Sequence, residues 1–193
     1  MNLDDNRGLE PGRYRGRMTV FRFLLEILQL LVLPVLLYLA IDSMIGRVRV
    51  EKISMEPSLI PGEILLVNKL AYRSGEFEYG DIVTFHYPLD PDLDYVKRVI
   101  GLPGDEVVVS GNQVVVNGRQ LYEPYISAAP EYNGTWNVPA ENLFVLGDNR
   151  NPSADSHVWG FVPFENVIGK AFAVYWPPGS IRKLVTPDIF LSY

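Results

Sequence analysis

Residues 23–45, FLLEILQLLVLPVLLYLAIDSMI, form an almost unbroken apolar run. As a helix rising ~1.5 Å per residue, such a run reaches across the ~30 Å hydrocarbon layer of a bilayer. Two other uses of the segment fit less well. A cleavable secretory signal has a shorter apolar core and a small-residue cut site, and Leu39, Ala40 and Ile41 supply no Ala-x-Ala pattern. A buried helix of a water-soluble core shows a polar face, and residues 27–39 show almost none. Glu26 is costly in lipid, but it follows Arg22 by one turn near the interface, within pairing reach. Pro34 is a candidate kink. Arg7, Arg13, Arg15, Arg17 and Arg22 precede the run, and basic residues favour the cytoplasmic side. The expected organisation is therefore a cytoplasmic arm over 1–22, a transmembrane anchor over 23–45 and an extracytoplasmic domain over 46–193. This describes a single-pass protein of the plasma membrane with its N-terminus inside.

The 193 residues, 48% of them hydrophobic, suffice for one modest domain besides the span. A net charge of -6 gives no general attraction to phosphate backbones, and no nucleic-acid-binding motif is present, so nucleic acid is not an expected partner. Cysteine is absent, which excludes disulfides, a cysteine nucleophile and a cysteine zinc site. With only His86 and His157 and no metal-motif spacing, neither a metal nor another cofactor is predicted.

Beyond Arg47 the pattern becomes short β-rich runs broken by Gly, Pro and Asn. Strands are predicted over 48–53, 63–68, 81–87, 95–100, 143–146 and 167–176. In VVVSGNQVVV, residues 107–116, Gly111-Asn112 can supply the positive φ angles of a two-residue hairpin turn. Residues 121–139, rich in Tyr, Pro, Ala, Asn and Gly, read as an irregular loop or small cap over the sheet. The domain is predicted to be mostly β.

Three polar segments interrupt this pattern. In SMEPSLIPGE, residues 54–63, a serine opens a proline-rich turn, an arrangement that ordinary turn chemistry also explains. In DYVKRVIGLPGD, residues 94–105, alternation places Tyr95, Lys97 and Val99 on one strand face and Val96, Arg98 and Ile100 on the other. Lys97 and Arg98 then point apart, one towards solvent and the other towards a buried site, with the choice left open. GDNRNPSADSHVWG, residues 147–160, packs Asp148, Arg150, Ser153, Asp155 and His157 into one loop, and Asx turns alone account for much of it.

Taken in this order after an N-terminal span, SM-x-P-S-L, DYVKRVIGLPGD and GDNR-x-x-S-x-DS closely resemble the signal peptidase I family of serine-lysine proteases. The resemblance covers roughly residues 48–170 plus the anchor. It implies an antiparallel β-sheet catalytic domain behind one transmembrane helix. It also implies removal of signal peptides from preproteins after small, Ala-x-Ala-like residues. By the same resemblance, Ser54 is the nucleophile, Lys97 the general base, and Ser153 the hydroxyl that bonds the lysine amine. Asp148 and Arg98 match a structural ion pair. Asp155 matches a second support, whose usual arginine partner is here His157. Val50, Met55, Leu59 and Val96 match the lining of pockets for small side chains, with Tyr95 on the same peptide-binding edge. A serine used by some relatives two residues before the nucleophile is here Lys52. Signal peptides, membrane lipid and the secretion translocon are the implied partners.

A lysine amine has an ordinary pKa of about 10.4 and is charged at neutral pH. Only burial makes it a usable base, by disfavouring the ammonium. A neutral hydroxyl is a suitable helper, because a carboxylate in its place would push the lysine back towards its charged form. Three rival readings explain less. A self-cleaving repressor of related fold would carry a DNA-binding domain in place of the span. A noncatalytic peptide-binding module would have no need of all three polar segments. A Ser-His-Asp hydrolase finds no G-x-S-x-G elbow here.

Overall fold

The computed structural model describes residues 15–73 and 75–190, with side chains from Val20 onward. Its contacts divide the chain into two compact units between Asp42 and Ser43. The first is built on helix α1, Arg15–Met44, which runs through Pro34 as one element. Within it, Val20–Met44 is long and apolar enough to cross a membrane. Leu30, Leu33 and Leu36 are exposed on it, as a lipid-facing helix requires. The expected arm falls partly outside the described residues, since Arg7 and Arg13 precede residue 15.

The second unit is mostly antiparallel β. Its first strands are β1, Ile45–Arg49, β2, Ile64–Asn68, β3, Ile82–Tyr87, and β4, Asp90–Gly101. They are followed by β5, Glu106–Ser110, β6, Gln113–Val116, β7, Arg119–Gln120, and β8, Gly134–Asn137. After β9, Asn142–Leu146, and the short helix α2, Ser156–Trp159, come β10, Val162–Pro163, β11, Val167–Trp176, and β12, Arg182–Lys183. One sheet has the order β1-β2-β11-β3-β4-β9-β10, with β12 added beside β11, and the other has the order β7-β6-β5-β8.

The predicted strand over 48–53 stops early. The Val50 N–H donates to the Glu63 carbonyl at 2.8 Å, and the Gly62 N–H donates to the Val50 carbonyl at 2.8 Å. Pro61 and Gly62 then turn the partner away, so residues 51–53 have no ladder to join. The chain enters a 3-10 turn, Ile53–Met55, instead.

Burial of β4 also differs from expectation. Val99 joins Val83, Phe85, Leu143 and Val145 on one face, with Tyr95 packed against them. On the other face Ile100 joins Val107, Phe144 and Leu146, while Val96 packs against Val50, Met55 and Leu59. From Lys97 to Gly101 the strand is covered on both faces and offers no solvent side. Lys97 and Arg98 are therefore both buried, each about 3% exposed.

The second sheet closes over the end of β4. Gly111 and Asn112 have φ of 57° and 65°, the geometry of the predicted two-residue hairpin turn. At Gly101 a Cβ would lie 2.7 Å from Val107 Cγ2, so the close approach of β4 to β5 requires glycine. Residues 121–139, expected as an irregular loop or small cap, contribute β8, which pairs with β5 along Glu106–Val109. Trp136 of that strand packs on Phe144, with ring centroids 5.1 Å apart.

Candidate active site

Ser54 sits in the middle of the 3-10 turn that follows Val50. The turn is closed by the Glu56 N–H donating to the Ile53 carbonyl at 3.0 Å. Met55 and Leu59 are buried directly after it and fix the turn to the core. From the opposite side, the loop after β9 holds the same backbone. The Asn149 N–H donates to the Ser54 carbonyl at 3.1 Å, and Asn149 Nδ2 donates to the Ile53 carbonyl at 3.2 Å. Gly147 permits this closure, because a Cβ there would overlap the Ser54 carbonyl and the Ser153 hydroxyl.

Lys97 reaches the same point from β4, where it pairs in register with Val83. Its Nζ lies 2.5 Å from Ser54 Oγ. Burial pushes the amine down from 10.5 to about 8. Asp155 and Asp148 pull it back up, while the charge of Lys52 lowers it further. Desolvation outweighs the two carboxylates, so a proton leaves Lys97 far more readily than it leaves a solvated lysine.

The supporting residues fall into three groups. Arg98 forks onto Asp148, with Nε donating to Oδ1 at 2.8 Å and Nη2 to Oδ2 at 2.6 Å, and its Nη1 donates to the Gly80 carbonyl at 2.7 Å. This neutralises an otherwise isolated buried carboxylate. Asp155 caps α2 and accepts the Gly147 N–H at 2.9 Å. It also bonds His157 Nδ1 at 2.6 Å, and the His157 ring is stacked on Tyr132 with centroids 3.9 Å apart. Ser153 is buried beside Gly147, but its Oγ has no hydrogen-bond partner among the described residues. The bond to the lysine amine implied by the resemblance is not made in this geometry, where the amine is turned to Ser54.

One pair was not singled out in the sequence. Arg150, about 1% exposed, forks onto Glu123 and donates from Nε to the Gly147 carbonyl at 3.1 Å. Glu123 lies in the segment expected to be an irregular loop, so this pair staples that segment to the Ser54 neighbourhood. Opposite charges 27 residues apart leave no local pattern to read.

A groove of about 710 Å³ runs past Ser54 and Lys97. One wall is the backbone from Arg47 to Met55, and the other is Asp92 to Lys97. β1 pairs only with β2, and β4 meets β9 only from Arg98 onward. From Asp92 to Lys97 β4 therefore has an open edge among the described residues, and the facing wall is the outer edge of β1 continued by the chain and turn to Met55. Val50, Met55, Tyr95 and Val96 line the groove. Leu59 is not among them and lies wholly buried in the core with Met55. Lys52 crosses the groove, its Nζ donating to Tyr95 Oη at 3.4 Å. No group of three or more His, Asp or Glu side chains among the described residues could hold a metal ion.

The family model described as signal peptidase, peptidase S26, matches residues 23–176. A solved signal peptidase I from Enterococcus faecalis V583 aligns with a TM-score of 0.46 at 31% identity, over 49% of this chain and 96% of that one. A signal peptidase I of Leptolyngbya laminosa is 40% identical over 176 residues, covering 86% of this chain and 87% of that one. A probable signal peptidase I-2 of Synechocystis sp. is 44% identical over 172 residues, covering 85% of this chain and 78% of that one. On the breadth of the family match and the identity to these two relatives, the chain belongs to the signal peptidase I family of serine peptidases.

Proposed function

We propose that this membrane-anchored peptidase cleaves preproteins with Ser54 as nucleophile and Lys97 as general base. The reading is carried by the 2.5 Å approach of the buried Lys97 amine to Ser54 Oγ. Neutral Lys97 accepts the hydroxyl proton as Oγ bonds to the scissile carbonyl carbon. The tetrahedral oxyanion is held by backbone donors, the Ser54 N–H first. Collapse breaks the C–N bond, and the Lys97 proton goes to the departing amine. A water then attacks the acyl-Ser54 ester as Lys97 takes its proton, and collapse breaks the C–Oγ bond with that proton passing to Ser54 Oγ, which restores both residues. Ser153 is the helper whose hydroxyl steadies the amine during these transfers. An unpaired buried hydroxyl costs about 1–3 kcal/mol, and bonding to Lys97 would relieve that cost. Asp148, Arg98 and Asp155 hold the loop that backs the dyad.

The two open edges receive the substrate as an added strand, pairing with its backbone. Side chains at one and three positions before the cut face Val50, Met55 and Val96, which leave room for alanine-sized groups. Tyr95 flanks the same path. Residues 23–45 anchor the enzyme in the plasma membrane, with residues 1–22 cytoplasmic and the 46–193 domain outside. Lipid contact then places the domain beside preproteins emerging from the secretion translocon at high effective concentration.

The test is cleavage of a preprotein in detergent by wild type, Ser54→Ala and Lys97→Ala. Both variants are expected to lose turnover, and near wild-type rates in either would remove the dyad.

A further inference from the structure

Lys52 and Lys97 share one aromatic ring. Lys52 Nζ lies 4.8 Å from the Tyr95 ring centroid, and Lys97 Nζ lies 5.7 Å from the same point. Lys52 comes from the wall that carries Ser54, and Tyr95 from the opposite wall, so the contact spans the groove beside the dyad. A long, exposed lysine side chain would otherwise wander, but the π face of a tyrosine attracts cations and limits it.

The carboxylates that act on the Lys97 amine are Asp148 and Asp155 of the loop after β9, while Arg47, Arg49, Glu51, Asp92 and Asp94 also line the groove. Asp148 is neutralised by Arg98, whose side chain leaves β4 on the opposite face. Asp155 accepts from the Gly147 N–H and from His157. Both carboxylates favour the ammonium form of Lys97. Ser54, Ser153 and Tyr95 are uncharged neighbours. Among the described residues, Lys52 is the cation whose charge acts on the Lys97 amine against these carboxylates.

We propose that Lys52, held by the Tyr95 ring, is a positioning residue that favours the uncharged form of Lys97 by repelling the proton on its amine. The inference rests on Lys97 being the base. Solvent screens the exposed Lys52 in the free enzyme. A peptide in the groove displaces that water, so the repulsion grows as substrate binds. Lys52 then needs no contact with the oxyanion to matter for catalysis.

The experiment follows preprotein cleavage by the full chain in detergent across pH 6 to 10, for wild type, Lys52→Met and Lys52→Arg. NMR of the Lys97 side chain gives a readout that needs no turnover. Removing the charge should move the acid limb of kcat, which reports the substrate complex, to higher pH by about half to one unit, and the limb of kcat/KM and the Lys97 titration, which report the free enzyme, in the same direction by less. That shift appears as roughly a three- to tenfold loss at pH 7, recovered near pH 10, and smaller in ~1 M salt. Lys52→Arg should match wild type. An unshifted limb in Lys52→Met overturns the proposal. A pH-independent loss of about 10²–10³ does so too, since it marks a direct oxyanion donor. If Lys97→Ala stays active, the base itself is wrong. If Lys97→Ala is inactive and the Lys52→Met limb is unshifted, only the role of Lys52 falls.

Discussion

Lys97→Met should stabilise the protein at neutral pH and destabilise it in alkali. Burial lowers the amine from 10.5 to about 8. At about 1.36 kcal/mol per unit, this difference corresponds to roughly 3 kcal/mol of folding free energy. Below about pH 8 the amine is charged in both folded and unfolded chains, and the folded chain bears the full cost of a desolvated ammonium. Between about pH 8 and 10.5 the unfolded chain binds more protons than the folded one, so stability rises with pH. Above that window both forms are neutral and the cost is gone. Methionine has similar bulk and no charge, but forfeits the contact with Ser54, worth about 1 kcal/mol. The variant should therefore gain about 2 kcal/mol at pH 7 and lose about 1 kcal/mol above pH 10.5. Guanidinium unfolding of the detergent-solubilised chain, followed by the fluorescence of Trp136, Trp159 and Trp176, reads this difference from pH 6.5 to 11. Tyrosine titration cancels between variant and wild type. A difference that stayed flat across the range would refute the claim that the amine is desolvated, and with it the reason a lysine can act as base here.

Two further perturbations address the loop after β9. Gly147→Ala places a methyl group against the Ser54 carbonyl and Ser153 Oγ, so kcat should fall by about 10²-fold through displacement of the nucleophile, and a wild-type kcat would contradict the packing. Glu123→Ala leaves the buried Arg150 unpaired and should cost about 3–5 kcal/mol in unfolding experiments, whereas Glu123→Leu with Arg150→Met should recover much of it.

Local chemistry made some of the fold legible. The 167–176 strand and the 107–116 hairpin were readable because β-branched runs and a Gly-Asn turn act over neighbouring residues. Alternation sorted the side chains of β4 onto two faces, but a period of two is silent about what covers each face. The burial of both Lys97 and Arg98 comes from clusters built by β2, β3, β5 and β9. β8 escaped because its pairing with β5 is non-local and GTWN carries little strand signal. The site residues were readable only through their resemblance to a family, since Ser54 and Lys97 stand 43 residues apart and neither segment is persuasive alone. Leu59, matched to a pocket lining by resemblance alone, lies wholly buried in the core with Met55, and Ser153 is buried beside Gly147.

The Ser54 turn is gripped from behind by Asn149, 96 residues beyond Ile53. A chain made from its N-terminus presents its serine long before it presents that grip. Closing so long a loop is entropically unfavourable until β9 has paired with β4 and the intervening sheet has formed. Before that point the Ser54 turn lacks the hydrogen bonds from Asn149 that hold it. The grip on the Ser54 turn is therefore completed late, after the loop that follows β9 has been synthesised and docked.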